Sequence, residues 1–263
     1  MAEFILGYRI SARSKEDCIY RIIRWLEDGA KRKYFVCANP HTLQVAKNDS
    51  ILDEAIRNAD LVTPDGVGIV IASKILGGSI KNRVTGSDIF GGLNHMLNQK
   101  KGFSVFFLGS TEETLRKIRE KMSVEYPEIR IGGMYCPPFK HQFSDEDNRL
   151  MIEAVNKAQP DVLWVGMTAP KQEKWIYENR NKLNVKFVGA IGAVFDFYSG
   201  NVKRSHPFFQ EFGLEWLPRL LRQPRRLWRR NFISSPSFIL RVLREKGRQK
   251  LAASRSSGRK SGI

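Results

Sequence analysis

Leu61-Val62-Thr63-Pro64-Asp65-Gly66-Val67-Gly68 is the stretch from which the chain is best read. A short apolar strand stops at Pro64, one carboxylate stands on Asp65, and the chain turns at Gly66 into an apolar segment predicted to be helical over 66–77. In an alternating α/β chain, the carboxyl ends of the strands are where the sheet holds its ligands. An Asp ahead of a helix has a second reading, as an N-cap that accepts bonds from the free amides of the first turn. Taken alone, the stretch favours the cap.

Upstream, residues 4–10 (FILGYRI) and 34–38 (YFVCA) read as strands. The amphipathic helix between them puts Ile19, Ile22, Ile23 and Leu26 on one face. Asn39 follows the second strand and Pro40 takes a first helical position, so Asn39, like Asp65, stands at a strand's carboxyl end. His41 reads most simply as an exposed helix-start residue. Downstream, residues 82–88 form a loop in which Ser87 or Asp88 is expected to cap a helix running to about residue 99. Arg83 in that loop is either a surface charge or a bidentate partner for phosphate or carboxylate. Phe103 to Leu108 is the clearest buried strand. Gly109-Ser110 follows, and Ser110 with Glu113 makes a capping-box pattern opening a helix over 111–124. Free amides at such a start suit a phosphate or a ribose. The turn is not a GxGxxG, which counts against a dinucleotide-binding dehydrogenase.

Ile129 to Tyr135 is another strand, and Ser144 is a natural cap for the acids Asp145 and Asp147 in the first turn of the next helix. That cap is the preferred reading over an Asp-x-Asp metal site. Val162 to Met167 is a strand, and Lys171 and Gln172 open the helix after it. Lys186 to Ala190 and Val194 to Phe197 supply the last apolar run, with Gly189 and Gly192 allowing close backbone approach. Asp196, between Phe195 and Phe197, needs a partner. The alternation predicts an α/β protein, a mostly parallel sheet flanked by helices with a Rossmann-like core and a cleft at the strands' carboxyl ends. Asn39, Asp65, Gly109 and Lys171-Gln172 all fall at strand-to-helix junctions, which lifts Asp65 above a simple cap.

The chain has 263 residues and a net charge of +17. From residue 201 onward, 16 lysines and arginines face three acids, so the tail carries +13 and the body is nearly neutral. Such a segment seeks phosphate, on nucleic acid or on an anionic membrane. The expected organisation is an α/β body over 1–200, a basic amphipathic helical appendage over 201–246 and a disordered tail over 247–263. In the appendage, arginines including Arg219, Arg226 and Arg229 alternate with Leu and Trp, a mixture suited to a membrane interface. The rival reading is a nucleic-acid-binding α/β protein with a basic tail, but no recognisable binding fold stands behind it, so nucleic acid is not expected. Three scattered cysteines without a CxxC argue for a reducing compartment and against a disulfide framework or a zinc site. No signal peptide and no transmembrane run is expected.

The ordered blocks resemble the WecG/TagA/CpsF glycosyltransferase family (glycosyltransferase family 26). They are the Asn39-Pro40 helix start, Thr63-Pro64-Asp65-Gly66, Arg83 to Asp88, Phe107 to Ser110, Pro170-Lys171-Gln172-Glu173, Asp196 to Gly200 and Gly213-Leu214-Glu215-Trp216. The resemblance covers roughly residues 5–230. It implies transfer of a sugar from a UDP-sugar to a polyprenyl-diphosphate-linked saccharide in teichoic-acid, common-antigen or exopolysaccharide synthesis. It further implies inversion, no cofactor and no bound metal, a peripheral place on the cytoplasmic face of the membrane, and admits self-association. By that resemblance Asp65 is the general base. The same resemblance places Asn39 and Gln172 in the donor pocket with Asp196 and Arg83 as further contacts, and likens Arg219, Arg226 and Arg229 to appendage arginines that close over the leaving group and meet the membrane. Gly109, Ser110 and Lys171, at strand ends, are added as substrate contacts from their position alone. Two departures stand out: Cys37 occupies a place where members often carry Thr, and Arg204-Ser205-His206-Pro207 replaces a shorter Arg-Ala-Pro.

Overall fold

The computed structural model describes residues 1–202 and 229–258. Six strands form one all-parallel sheet in the order β4-β3-β8-β7-β5-β6. They are β3 (Lys33–Ala38), β4 (Leu61–Pro64), β5 (Ser104–Gly109), β6 (Arg130–Tyr135), β7 (Val162–Gly166) and β8 (Phe187–Ala190). The predicted α/β class with helices on both faces is what the structure has. The expected strand over 4–10 is instead a hairpin, β1 (Ala2–Ile5) and β2 (Tyr8–Ser11), which makes a separate two-stranded antiparallel sheet. Leu6 (φ 52°) and Gly7 (φ 81°) both take left-handed conformations, the requirement of a tight two-residue hairpin turn. The apolar run hid that turn, because only Gly7 marks it.

Alternation along the strands sorts side chains onto two cores. Val36, Ala38, Val62, Leu108, Val165 and Val188 face helices α2 (Pro40–Ala46), α3 (Ser50–Arg57), α4 (Val67–Leu76), α7 (Asp145–Ala158) and α8 (Lys171–Asn179). Phe35, Leu61, Phe107, Trp164 and Phe187 face α1 (Lys15–Glu27), α5 (Gly86–Lys100), α6 (Glu112–Glu125) and α9 (Val194–Tyr198). The predicted face of α1 is buried as expected. Segment 194–197, read as part of an apolar run, is helical. The chain thus leaves β3 and β7 toward one face and β8 and β5 toward the other. Where neighbouring strands part in this way, their carboxyl ends open a crevice.

After a π-helical turn (Arg229–Ser234), helix α10 (Ser235–Gly258) packs on α2 and α4. Its Phe238 and Val242, one turn apart, are fully buried in the first core. The helix continues past Gly247, where composition alone predicts loss of order, to Gly258.

Candidate active site

The β3, β4 and loop 81–85 ends are tied together by backbone. Asp65 N donates to Ala38 O at 2.8 Å, and Val84 N donates to Pro64 O at 2.8 Å. A Cβ on Gly68 would lie 2.4 Å from Pro40 Cγ, so the first turn of α4 sits directly against the first turn of α2. These three contacts bring Asn39, Asp65 and Arg83 to one corner of the crevice, and all three are half-buried.

Each side chain at this corner has a defined local role. Asn39 is the N-cap of α2, its Oδ1 accepting from Thr42 N at 3.0 Å. What Asn39 offers a ligand is therefore its Nδ2 donor. Asp65 is not the N-cap: Gly66, at φ 98° and ψ 153°, holds that position on α4 and has no side chain with which to cap it. The expected cap of α5 shifts by two or three residues. Thr85, not Ser87 or Asp88, is the N-cap, and Asp88 closes a capping box on Thr85 N at 2.8 Å. Arg83 thus sits two residues before a fixed helix start.

Cys37 forms the floor beside them. It pairs in register with Thr63, whose Oγ1 lies 3.7 Å from Cys37 Sγ, so a hydroxyl stands next to the thiol that replaces one. Burial pushes the Cys37 thiol well above its ordinary value, and the neighbouring carboxylates of Asp65, Glu173 and Asp88 push the same way. Glu173 is the residue that sequence reasoning passed over. It is buried at 3 % exposure, burial raises its carboxyl, and its Oε1 accepts from Gln172 Nε2 at 2.9 Å. Glu173 Oε2 and Gln172 Oε1 are buried without hydrogen-bond partners. A Cβ on Gly192 would stand 3.4 Å from the Gln172 amide, which places Gln172 under the β8–α9 turn. The sequence signal for Glu173 was an acid in a helix's first turn, indistinguishable there from a dipole partner.

The remaining candidates lie further along the rim. Gly109 (φ 125°) and Ser110 (φ 60°) turn sharply out of β5, and a Cβ on Gly109 would meet Gly166 O at 2.4 Å. The cap of α6 is Thr111, accepting from Thr114 N at 3.2 Å, rather than Ser110. Ser110 is left as a strained non-glycine residue at a strand end, a setting in which strain often marks function. Lys171 reaches the loop before α7: its Nζ donates to Lys140 O at 2.7 Å and lies 4.7 Å from the Phe143 ring centroid. Asp196 is half-buried in α9, and its backbone oxygen accepts from Val202 N at 3.1 Å. Asp147 is engaged as the cap reading requires. Lys140 Nζ bridges both its oxygens, Ser144 N donates to it, and together they hold its carboxyl at about 2. Among the described residues no cluster of His, Cys, Asp or Glu is placed to hold a metal.

Arg219 and Arg226 lie outside the described residues, and Arg229 opens the π-helical turn. That turn is anchored at the site. His41, expected to be exposed, is half-buried because α10 packs on α2, and its Nδ1 is 2.9 Å from Ser234 Oγ. Arg241 donates to Leu43 O and Gln44 Oε1, and Lys246 to Leu76 O. Cations there meet the carbonyl ends of α2 and α4. The outer face of α10 exposes Leu240, Leu243 and Leu251 beside the exposed Arg244, Arg248 and Lys250. No described helix is long and apolar enough to cross a membrane.

Residues 4–252 match the model of the glycosyl transferase WecG/TagA/CpsF family. Similar curated proteins bear the name N-acetylglucosaminyldiphosphoundecaprenol N-acetyl-beta-D-mannosaminyltransferase. One from Bacillus spizizenii is 33 % identical over 82 % of this chain and 81 % of its own length. One from Bacillus subtilis is 31 % identical over 81 % and 79 %, and one from Staphylococcus aureus 27 % over 83 % of each.

Proposed function

The chain belongs to the WecG/TagA/CpsF glycosyltransferase family, and from that premise we propose that it moves a sugar from a UDP-sugar to a polyprenyl-diphosphate-linked saccharide, with inversion. The Bacillus and Staphylococcus relatives make N-acetylmannosamine the first donor sugar to try and an N-acetylglucosaminyl-diphosphoundecaprenol the first acceptor. Residues 1–200 are the transferase body and 201–246 the basic appendage. One observation carries the assignment of Asp65: it stands at the carboxyl end of β4, its N bonded to Ala38 O at the end of β3, in the same corner of the crevice as Asn39 and Arg83. Inverting transfer is one displacement at the anomeric carbon. Asp65 takes the proton of the acceptor hydroxyl as that oxygen attacks, and the diphosphate leaves on the opposite side.

The departing UDP gathers negative charge and needs countercharge. The helix start at Asn39 and the guanidinium of Arg83 supply it from the body. Arg219, Arg226 and Arg229 supply it from the appendage, which also meets anionic lipid. Gln172, Gly109, Ser110 and Asp196 line the donor side, with Lys171 behind them. The family match over residues 4–252 supports this reading over a nucleic-acid-binding one. A panel of UDP-sugars with a synthetic lipid-diphosphate acceptor tests it, and no transfer from any member would sink it.

A further inference from the structure

The carboxyl rim presents an aromatic side chain that the core does not bury. Phe139, on the loop between β6 and α7, is 103 % exposed. The loop beneath it is firmly fixed. Pro137 is buried, Cys136 Sγ donates to Ser110 O at 3.2 Å, and Lys140 is ion-paired with Asp147 at 2.8 Å. Lys171 Nζ, bonded to Lys140 O, stands 4.7 Å from the Phe143 ring centroid and 5.9 Å from that of Phe139. A ring held out in water by an ordered loop forgoes its burial inside the protein. Toward the other side of the rim, Phe232 and Ile233 are exposed at 48 % and 51 %, just before the Ser234 that touches His41 at the start of α2. From β3 to β6 the sheet order has four intervals, roughly 19 Å at the usual strand spacing. The two apolar points therefore flank the crevice.

We propose that the carboxyl rim faces the phospholipid bilayer and that Phe139 enters its interfacial layer as a contact separate from the basic tail. The proposal rests on the reading above, in which the acceptor is lipid-linked and must reach the crevice from a membrane. One ring is too small for a stable protein interface, which takes about 800 Å² from each partner. It is the size of an interfacial aromatic anchor. The contact is apolar, not electrostatic: Asp145 and Glu146 follow the loop, and Lys140 is already paired. It should therefore persist where salt screens the arginine-rich tail.

The test is cosedimentation of the full chain with phosphatidylglycerol–phosphatidylcholine vesicles at low and at high salt. Phe139→Ala is expected to weaken partitioning about tenfold at both, as for the loss of one buried ring, while Phe139→Trp retains it. Binding of Phe139→Ala equal to wild type at high salt overturns the proposal. So does a Phe139→Ala protein that, without vesicles, sediments as a smaller species than wild type, since the ring would then cover a second copy of the chain. Transfer to a short-chain, water-soluble acceptor is expected to be equal in wild type and Phe139→Ala. If wild type shows no such transfer, the reaction assignment fails, and the vesicle result still decides the role of Phe139.

Discussion

Asp65 and Asp147 both stand near a helix start beyond the carboxyl end of a parallel strand, and their fates are opposite. Asp147 is the third residue of α7, drawn into a capping box with Ser144 and paired with Lys140. Asp65 precedes a glycine cap, which offers no hydroxyl to close a box with it. The difference lies in one backbone conformation. Ser144, at φ −74° and ψ 169°, aims its hydroxyl into the first turn and recruits the acid three residues on. Gly66, at φ 98°, has no side chain to recruit anything. An acid near a helix start is thus drawn into the cap only where the cap residue has a side chain to recruit it, and on the reading proposed above Asp65 serves the acceptor instead.

The largest test of that contrast is catalytic. Asp65→Asn should keep UDP binding and lose transfer by about 10²–10⁴-fold, the usual worth of a general base. Asp147→Asn should transfer at close to the wild-type rate. Equal losses in the two variants would erase the distinction, and retained turnover in Asp65→Asn would return Asp65 to a helix-start role. Next comes the attachment of the appendage. Phe238→Ala removes a fully buried ring between α10 and the first core and should cost about 3–5 kcal/mol in chemical denaturation. An unchanged midpoint would mean that α10 is not part of the cooperative unit. Because of this packing, deleting everything after residue 200 would strip the core as well as the charge, and substituting the arginines is the cleaner probe of the tail.

Backbone tests follow. Gly66→Ala meets no atom within 4 Å, so its cost is conformational alone, about 1–3 kcal/mol for a non-glycine residue in that region. Because the strain falls on the residue after Asp65, transfer should fall along with stability. Ser144→Ala should cost about 1 kcal/mol with transfer unchanged. If the first substitution proved silent and the second impaired transfer, the two helix starts would have exchanged the roles assigned to them.

Much of this was legible in the chain and some was not, for physical reasons. Fully buried strands such as β5 announce themselves as unbroken apolar runs, and strand–helix alternation fixes a parallel sheet. The junctions at Asn39 and Asp65 were readable because Pro40 and Gly66 punctuate them. Caps at Thr85 and Thr111 were misplaced by one to three residues because Ser87 and Asp88 stand close to the first and Ser110 beside the second, and only the backbone angles choose among them. Strand order depends on contacts far apart in sequence, so the place of β8 between β3 and β7 could not be read. Glu173 was missed because burial, not residue type, makes it unusual.

The smallest effect separates two acids by the sign of their pH dependence. Asp147 has its carboxyl lowered to about 2 by Lys140 and the Ser144 cap. A lowered folded value stabilises the fold above the ordinary carboxylate range, and that contribution is lost as pH falls through about 4 toward 2. Glu173 is raised by burial, so its neutral form suits the fold, and stability is lost as pH rises past its ordinary value. Thermal midpoints measured from acid to neutral pH should therefore diverge in opposite senses. Asp147→Asn should fall below wild type at neutral pH and approach it in acid. Glu173→Gln should match wild type in acid and gain on it as pH rises. Parallel curves for Glu173→Gln would mean that its carboxylate is compensated on ionisation, which the partnerless Oε2 argues against.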